Sequence, residues 1–139
     1  MRIADILAQK DVHVYSIHPD RPVSEAVQVL NEKRIGSLIV VDNEQNIKGI
    51  ITERDLLYMY ADAKYEAQKT LVKEIMTPAE KLIIGHEDDY LEYVMGMMTE
   101  HGIRHLPILS DEGKLMAIIS IKDVIKMLLT DAEHKKKLF

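Results

Sequence analysis

Thr52-Glu53-Arg54-Asp55 recurs as Ser120-Ile121-Lys122-Asp123, with the same shift of 68 positions at both ends (52 to 120 and 55 to 123). Each tetrad places a hydroxyl residue three positions before a carboxylate, with a cation directly before that carboxylate. Each also follows an apolar, strand-like run and begins a helix-like pattern. The chain therefore carries two copies of one chemical element, and that element has groups suited to a sugar phosphate.

The repeat extends beyond the tetrads. One helical face, with apolar residues at spacing i, i+3, i+4 and i+7, occurs in both copies. Its members are Val23, Ala26, Val27 and Leu30 in the first copy and Leu91, Val94, Met95 and Met98 in the second. Because both copies keep one register, the sequence predicts an internal repeat of two similar half-domains.

Composition limits the function classes. A chain of 139 residues with 47% hydrophobic and 29% charged residues is typical of one globular domain. No apolar run approaches the roughly 20 residues of a membrane helix, and the start lacks a signal-peptide pattern, so we expect a cytoplasmic protein. The absence of cysteine excludes disulfides and thiolate chemistry. The net charge of −5 argues against a nucleic-acid partner.

The hydrophobic pattern predicts the same order of elements twice, each copy led by a short helix (3–7 and 72–76). The first copy is predicted as strand 12–17, helix 23–33, strands 37–42 and 47–51, and a helix from Thr52. The second is predicted as strand 82–84, helix 91–100, strands 106–109 and 115–119, and a helix after Ser120. The connector, 60–70, is predicted as an extended helix. We expect repeats at 1–65 and 66–130 and a C-terminal tail at 131–139.

This order, with Ile35-Gly36-Ser37-Leu38-Ile39-Val40-Val41-Asp42 and Gly49-Ile50-Ile51-Thr52-Glu53-Arg54-Asp55-Leu56, resembles a CBS domain pair, or Bateman module. Arg104-His105-Leu106-Pro107-Ile108 and Ile118-Ile119-Ser120-Ile121-Lys122-Asp123-Val124 carry the resemblance in the second copy. It implies an α/β fold of two tandem repeats packed with pseudo-twofold symmetry, with a cleft on either side.

The tetrads supply groups for a nucleotide. A carboxylate accepts charge-assisted hydrogen bonds from ribose hydroxyls, and a helix start with unpaired N–H groups attracts phosphate. The predicted ribose ligands are Asp55 and Asp123, and the predicted phosphate ligands are Thr52, Arg54, Ser120 and Lys122. In the resembled family, the threonine or serine and the aspartate have these roles for adenosine ligands. The alternative is a capping box, in which each pair satisfies the backbone N–H groups of its own helix.

The copies differ where a strand begins, since Arg104 and His105 stand where the first copy has Gly36 and Ser37. The resemblance implies that Arg104 and His105 approach phosphates in the Asp55 cleft, while Gly36 and Ser37 line the Asp123 cleft. Alternatively, Arg104 is a surface cation and His105 a hydrogen-bonded strand residue. The base pocket is predicted at Gly36, Ser37 and the strand residues Val14, Tyr15, Leu82 and Ile83, for which core packing is an equal explanation.

Two further features concern the sites. His101 and His105 are four positions apart, but Gly102 between them is predicted to end a helix as a left-handed cap, so we expect no metal site. Ala117 replaces the glycine found at Gly49, which we expect to tighten the strand near the second cleft.

The resemblance implies a regulatory, energy- or redox-sensing module that binds an adenosine ligand between the repeats, and we predict this function rather than an enzyme. There is no recognisable nucleophile–base pair, metal cluster or glycine-rich phosphate loop. The expected ligands are AMP, ADP or ATP, then NADH or S-adenosylmethionine. The expected partners are a second copy and an unknown effector protein on another polypeptide, with no nucleic acid and no membrane. The alternative function is a ligand-free dimerisation scaffold whose tetrads are helix caps; an enzyme acting on nucleotides is a third.

Overall fold

The computed structural model describes residues 1–9 and 13–138, with side chains as far as residue 132. The helices are α1 (Ile3–Leu7), α2 (Val23–Lys33), α3 (Glu53–Tyr60), α4 (Val72–Ile75), α5 (Leu91–His101) and α6 (Ile121–Leu138), with a 3-10 helix at Ala79–Lys81. The strands are β1 (Ser16–Ile17), β2 (Ser37–Val41), β3 (Ile47–Thr52), β4 (Thr77–Pro78), β5 (Gly85–His86), β6 (His105–Leu109) and β7 (Leu115–Ser120). The predicted α/β class is confirmed, and the tail predicted at 131–139 continues α6 as far as Leu138.

The strands form two sheets, ordered β1-β2-β3-β4 and β5-β6-β7. In each sheet a short parallel strand precedes an antiparallel pair. The antiparallel register places Thr52 opposite Ser37 and Ser120 opposite His105. Both hydroxyl residues therefore lie at the end of a strand that the sheet holds in place.

The chain divides into two compact units, which we call the Thr52 unit (Val14–Leu82) and the Ser120 unit (Met1–His13 with Ile83–Phe139). The short lead helices are exchanged relative to the sequence repeats 1–65 and 66–130. Ile3 and Ile6 of α1 belong to the core of the Ser120 unit, whereas Val72 of α4 belongs to the core of the Thr52 unit. Each core therefore needs a helix from the other repeat.

Matching hydrogen bonds fix both lead helices. α1 donates to the loop before α5, and α4 donates to the loop before α2. The bonds are Ile3 N–H to Asp89 O (3.0 Å), Ala4 N–H to Glu87 O (2.8 Å), Val72 N–H to Arg21 O (2.9 Å) and Lys73 N–H to Pro19 O (3.0 Å). Lys73 Nζ also lies 3.0 Å from Asp20 Oδ1, and Arg2 NH1 lies 3.9 Å from Asp88 Oδ1. The two lead helices are therefore held in their units by equivalent backbone hydrogen bonds.

The prediction of an extended helix over 60–70 is wrong, because α3 ends at Tyr60 and the connector forms turns. Helix α2 begins after Pro22, which has no side chain able to cap it. The connector supplies the missing acceptors, since the carbonyls of Ala67 and Thr70 accept bonds of 2.8 Å from the N–H groups of Ser24 and Val23. The turns of the connector therefore place both carbonyls at the start of α2.

The predicted strand 12–17 is observed only at Ser16–Ile17, and Val12 lies outside the described residues. The strand predicted at 82–84 is wrong, since β5 is Gly85–His86. In the Thr52 unit the Ile39 N–H donates to Tyr15 O at 3.2 Å. The equivalent position in the Ser120 unit is Pro107, which has no N–H, so pairing begins one position later.

Gly49 allows a fourth strand in the Thr52 unit. It pairs with Pro78 of β4, and a Cβ at Gly49 would overlap the Thr77 carbonyl oxygen. Ala117, the equivalent residue in the Ser120 unit, is buried at 1% exposure in a sheet of three strands. The glycine is therefore explained by the close approach of β4.

Candidate functional site

Thr52 and Asp55 form a closed hydrogen-bond pair at the start of α3. Asp55 Oδ2 accepts bonds from the Thr52 N–H (2.9 Å) and the Thr52 hydroxyl (3.1 Å). The Asp55 N–H donates in turn to Thr52 Oγ1 at 3.4 Å. This arrangement is the capping box that the sequence offered as an alternative.

Ser120 and Asp123 repeat the arrangement at the start of α6. Asp123 Oδ2 accepts from the Ser120 N–H at 2.8 Å and from the Ser120 hydroxyl at 3.0 Å. The Asp123 N–H donates to Ser120 Oγ at 3.2 Å. Both tetrads therefore have the same local geometry, and both aspartates are half-buried.

Backbone carbonyls accept the first N–H of α3 and the first N–H of α6. The Glu53 N–H donates to Gly36 O at 3.1 Å, and the Ile121 N–H donates to Arg104 O at 2.9 Å. The third helical N–H is taken by Thr52 or Ser120. The expectation of unpaired N–H groups is therefore wrong at these two positions of each helix, because the strand before each helix and the tetrad itself supply acceptors.

The Asp55 carboxylate keeps acceptor capacity beyond its cap. Both hydrogen bonds from Thr52 reach Oδ2, and within the described residues no hydrogen bond to Oδ1 is observed. An ionised carboxylate has about four lone-pair sites. Burial raises the pKa of the Asp55 carboxyl above its usual value, while the bonds from Thr52 and the charge of Arg54 oppose that shift. Asp55 is thus a partly desolvated carboxylate with one oxygen able to accept further bonds.

The cations predicted to bind phosphate are exposed to solvent. Arg54 and Lys122 are exposed, as is Arg104. His105 is half-buried at the start of β6, opposite Ser120 of its own unit, and Ser37 is buried at 8% exposure opposite Thr52. In each unit, therefore, the first residue of a strand lies opposite the hydroxyl residue of the tetrad in the same unit. The prediction that Arg104 and His105 serve the Asp55 cleft, with Gly36 and Ser37 at the Asp123 cleft, stays a prediction.

Four of the predicted base-pocket residues lie beside the first strand of each sheet, whereas Ser37 begins β2 and Gly36 directly precedes it. Val14 and Tyr15 precede β1 and are half-buried, and Lys33 Nζ lies 5.4 Å from the centre of the Tyr15 ring. Leu82 and Ile83 lie between the 3-10 helix and β5, also half-buried. Leu82 ends the Thr52 unit and Ile83 opens the second segment of the Ser120 unit. The Tyr15 carbonyl accepts the Ile39 N–H at 3.2 Å, and the Leu82 N–H donates to Ala79 O at 3.1 Å.

The predicted left-handed cap at Gly102 is confirmed, with φ of 63°. Among the described residues, no group of three or more His, Asp or Glu side chains is arranged to hold a metal ion. No helix in that part of the chain has both the length and the apolar character needed to cross a membrane. A shallow depression of about 460 Å³ lies at the connector and contains none of the predicted site residues. Its lining is Lys64, Tyr65, Glu66, Lys69, Thr70 and Glu74.

The sequence analysis did not predict the effect of Pro107 on strand pairing, although Pro107 lies within Arg104-His105-Leu106-Pro107-Ile108, which carries the family resemblance. The available signal was the missing N–H of a proline aligned with Ile39, a strand residue that has one. The exchange of lead helices was also missed, because apolar spacing identifies which face is buried but not its packing partner.

Comparison with known proteins covers both tetrads. Residues 3–62 and 72–130 match the family described as CBS domain. A putative signal-transduction protein with CBS domains from Burkholderia ambifaria MC40-6 is 37% identical, with a TM-score of 0.84 over 94% of this chain and 96% of that chain. The CBS domain pair of protein MJ0100, solved with 5-methylthioadenosine and S-adenosyl-L-methionine, is 25% identical, with a TM-score of 0.76 over 92% and 99%. Inosine-5'-monophosphate dehydrogenase of Methanocaldococcus jannaschii is 35% identical over 123 residues, which are 88% of this chain and 23% of that enzyme.

Proposed function

The chain belongs to the CBS domain family, and from that premise we propose that it is a regulatory module that binds an adenosine-containing ligand. Asp55 and Asp123 each bind the ribose hydroxyls of a separate ligand molecule. Ligand binding regulates a partner protein. No catalytic step is part of the proposal. The single observation that carries it is the Asp55 carboxylate, which is partly desolvated and uses only Oδ2 for its helix cap.

Capping and ribose binding are compatible at one carboxylate. The cap fixes the orientation of Asp55 through Thr52, so little side-chain entropy remains to be lost when a ligand binds. A hydroxyl that donates to Oδ1 then makes a charge-assisted bond, which is stronger than a neutral one. The cap therefore preorganises the acceptor.

The ligand class follows from chemistry shared with a relative. Both compounds in the MJ0100 structure, 5-methylthioadenosine and S-adenosyl-L-methionine, contain adenosine. Arg54, Lys122 and Arg104 are exposed cations that favour a phosphate on the same ligand. The proposed ligands are AMP, ADP or ATP, followed by NADH and S-adenosylmethionine.

We also propose that two copies associate through α3 and α6. Leu57 on α3 is 69% exposed and Leu129 on α6 is 61% exposed, and both are large apolar side chains. Sedimentation of the wild-type protein should give a dimer, and Leu57→Glu or Leu129→Glu should shift it toward the monomer. Glu32→Gln, at an exposed polar position of α2, is the matched control. A monomeric wild type, or a dimer that tolerates both changes, would contradict this part of the proposal.

A ligand-free scaffold is the second candidate, and the complete capping boxes favour it, since both close without any ligand. Thermal unfolding with AMP, ATP, NADH and S-adenosylmethionine separates the two candidates. A ligand present at about 100 times its Kd adds about 2.7 kcal/mol of stability. We expect stabilisation by at least one of these compounds. No shift with any of them would favour the scaffold.

Glu74→Ala is the matched control for the aspartates. Glu74 Oε2 accepts the Leu71 N–H at 2.6 Å, so this carboxylate caps α4 as Asp55 caps α3. Loss of either cap costs about 1 kcal/mol. We expect Asp55→Ala to reduce ligand binding and Glu74→Ala to leave it intact. Equal effects of the two changes would mean that Asp55 acts only through helix stability.

A further inference from the structure

Methionine is distributed unequally between the two units. Of the eight methionines, Met59 and Met76 lie in the Thr52 unit and the other six lie in the Ser120 unit. The chain has no cysteine, so thioethers are its only sulfur groups. Reversible oxidation of sulfur in this protein is therefore confined to methionine, and most of the methionines belong to one unit.

The difference is greatest on one pair of repeat-related helices. Met95 and Met97 of α5 occupy the positions that Val27 and Val29 occupy in α2. All four side chains are half-buried and pack against the core of their own unit. Valine does not react with mild oxidants, whereas the methionine thioether does. The same two positions therefore carry oxidisable sulfurs in the Ser120 unit and none in the Thr52 unit.

Half-burial gives Met95 and Met97 contact with solvent and with the core at the same time. Met98, the next residue of α5, is only 1% exposed, and Met59 is only 3% exposed. Because oxidation follows exposure, a small oxidant reaches Met95 and Met97 in the folded protein before it reaches the two buried side chains. The product, a sulfoxide, is a polar group packed against an apolar core.

Helix α5 also has a weaker backbone than α2 at this point. Gly96 lies between the two methionines, and a glycine inside a helix is destabilising because it loses more backbone entropy than other residues. Its equivalent in α2 is Gln28, whose Nε2 donates to Glu32 Oε1 at 3.3 Å. Helix α5 packs against α6, which begins directly after Ser120. Loosening of α5 therefore acts on the helix that carries the Ser120 tetrad.

We propose that Met95 and Met97 form a reversible oxidation site, and that sulfoxide formation there loosens the Ser120 unit while the Thr52 unit stays intact. The oxidant is a peroxide. The two valines of α2 make the Thr52 unit resistant to the same treatment.

The chemistry is a transfer of one oxygen atom. A lone pair of the thioether sulfur attacks one oxygen of hydrogen peroxide, and the O–O bond breaks. The sulfur loses two electrons and becomes a sulfoxide. The second oxygen leaves as hydroxide and takes up the proton of the transferred oxygen, which gives water. Methionine sulfoxide reductases reverse the step with two thiols, which become a disulfide as the oxygen leaves as water.

The rates of oxidation test the site. Hydrogen peroxide is added to the folded wild-type protein, and tandem mass spectrometry follows the gain of one oxygen at each methionine. We expect Met95 and Met97 to react at least about tenfold faster than Met98 and Met59, because the buried pair reacts only after local opening. Equal rates at all four residues would mean that oxidation requires unfolding, and would overturn the proposal.

Hydrogen exchange tests the effect on each unit. Once Met95 and Met97 are oxidised, the amides of α5 and β6 should exchange at least about tenfold faster, while those of α2 and β2 keep their rates. Sulfoxide reductases with a dithiol should restore the original rates. Unchanged exchange in the oxidised protein, equal acceleration in both units, or no recovery after reduction would each overturn the proposal.

Met95→Leu combined with Met97→Leu is the control variant, since it removes both sulfurs and nearly conserves side-chain volume. It retains Met1, Met76 and Met116, the other methionines that are exposed or half-buried. Peroxide should leave hydrogen exchange in this variant unchanged. Acceleration that persists would assign the effect to another methionine and contradict the role of α5.

The reverse exchange keeps the test independent of any damage to α5. Val27→Met combined with Val29→Met places the two sulfurs on α2, and peroxide should then accelerate exchange in α2 and β2 as well. Oxidation of both new methionines without that acceleration would count against the proposal. These measurements need no ligand, so their outcome leaves the proposed ribose sites at Asp55 and Asp123 untouched.

Discussion

The Thr52 unit and the Ser120 unit share a tetrad geometry that agrees to within about 0.2 Å in each hydrogen bond, from 2.9 against 2.8 Å to 3.4 against 3.2 Å. Three of the repeat-related pairs that differ concern the strands and helix ends around the tetrads. These are Ile39 and Pro107, Gly49 and Ala117, and Arg34 and Gly102. Each pair concerns the backbone rather than the chemistry of the tetrads. Two tetrads of similar geometry can therefore differ in behaviour through the strands and helix ends that surround them.

The lead helices offer the largest test of this comparison. Ile3 of α1 is fully buried in the Ser120 unit, although it belongs to the first sequence repeat. Ile3→Ala should lower the free energy of unfolding by about 2–5 kcal/mol. Hydrogen exchange should accelerate first in α5 and β6. Val72→Ala is the matched change, and it should act first on α2 and β2. Faster exchange in each helix's own sequence repeat would contradict the exchanged arrangement.

Gly49 and Ala117 test the fourth strand. Because a Cβ at Gly49 would overlap the Thr77 carbonyl, Gly49→Ala should cost about 1–3 kcal/mol and weaken the β3–β4 pairing. The reverse change, Ala117→Gly, should cost only about 0.5–1 kcal/mol, from backbone entropy. Chemical denaturation measures both. Equal costs would mean that β4 does not require the glycine.

Arg34 and Gly102 test the helix ends. Both residues are left-handed, with φ of 54° at Arg34 and 63° at Gly102, and only glycine adopts this conformation without steric cost. Arg34→Gly should raise stability by up to about 1 kcal/mol, and Gly102→Ala should lower it by about the same amount. Thermal unfolding of both variants is the measurement. A loss of stability in Arg34→Gly would indicate that the arginine side chain contributes more than its backbone costs.

The smallest expected effect is the pH dependence of Asp55. Its pKa is raised in the folded state, so the folded protein binds a proton more tightly there than the unfolded chain. That contribution is present below the ordinary aspartate pKa and is lost as the pH rises through the raised value. Relative to Asp55→Asn, the free energy of unfolding of the wild type should therefore fall as the pH rises through that window. Denaturation experiments at several pH values measure this change. A rise across the same window would contradict desolvation of the carboxyl.

The sequence predicted what depends on local pattern. Helix α2 matches the predicted bounds, Val23–Lys33, because its apolar spacing and a preceding proline are local signals. The prediction of a helical connector was wrong because the connector provides hydrogen-bond acceptors to α2. These are the carbonyls of Ala67 and Thr70, more than 40 positions from the N–H groups that they accept. The strand expected at 82–84 was wrong because a missing N–H at Pro107 acts on a neighbouring strand. The hydroxyl–carboxylate pairs were predictable from spacing, whereas the accepting roles of Gly36 O and Arg104 O required the folded backbone.

Calorimetry on four proteins tests the central claim most directly: wild type, Asp55→Ala, Asp123→Ala and the double variant, each titrated with AMP or another adenosine ligand that stabilises the wild type. Each lost carboxylate removes charge-assisted bonds of about 1.5–3 kcal/mol, so each single variant should lose one binding event by at least about tenfold in affinity. The double variant should bind no ligand while remaining folded. Undiminished binding by the folded double variant would contradict the assignment of both aspartates to the ribose.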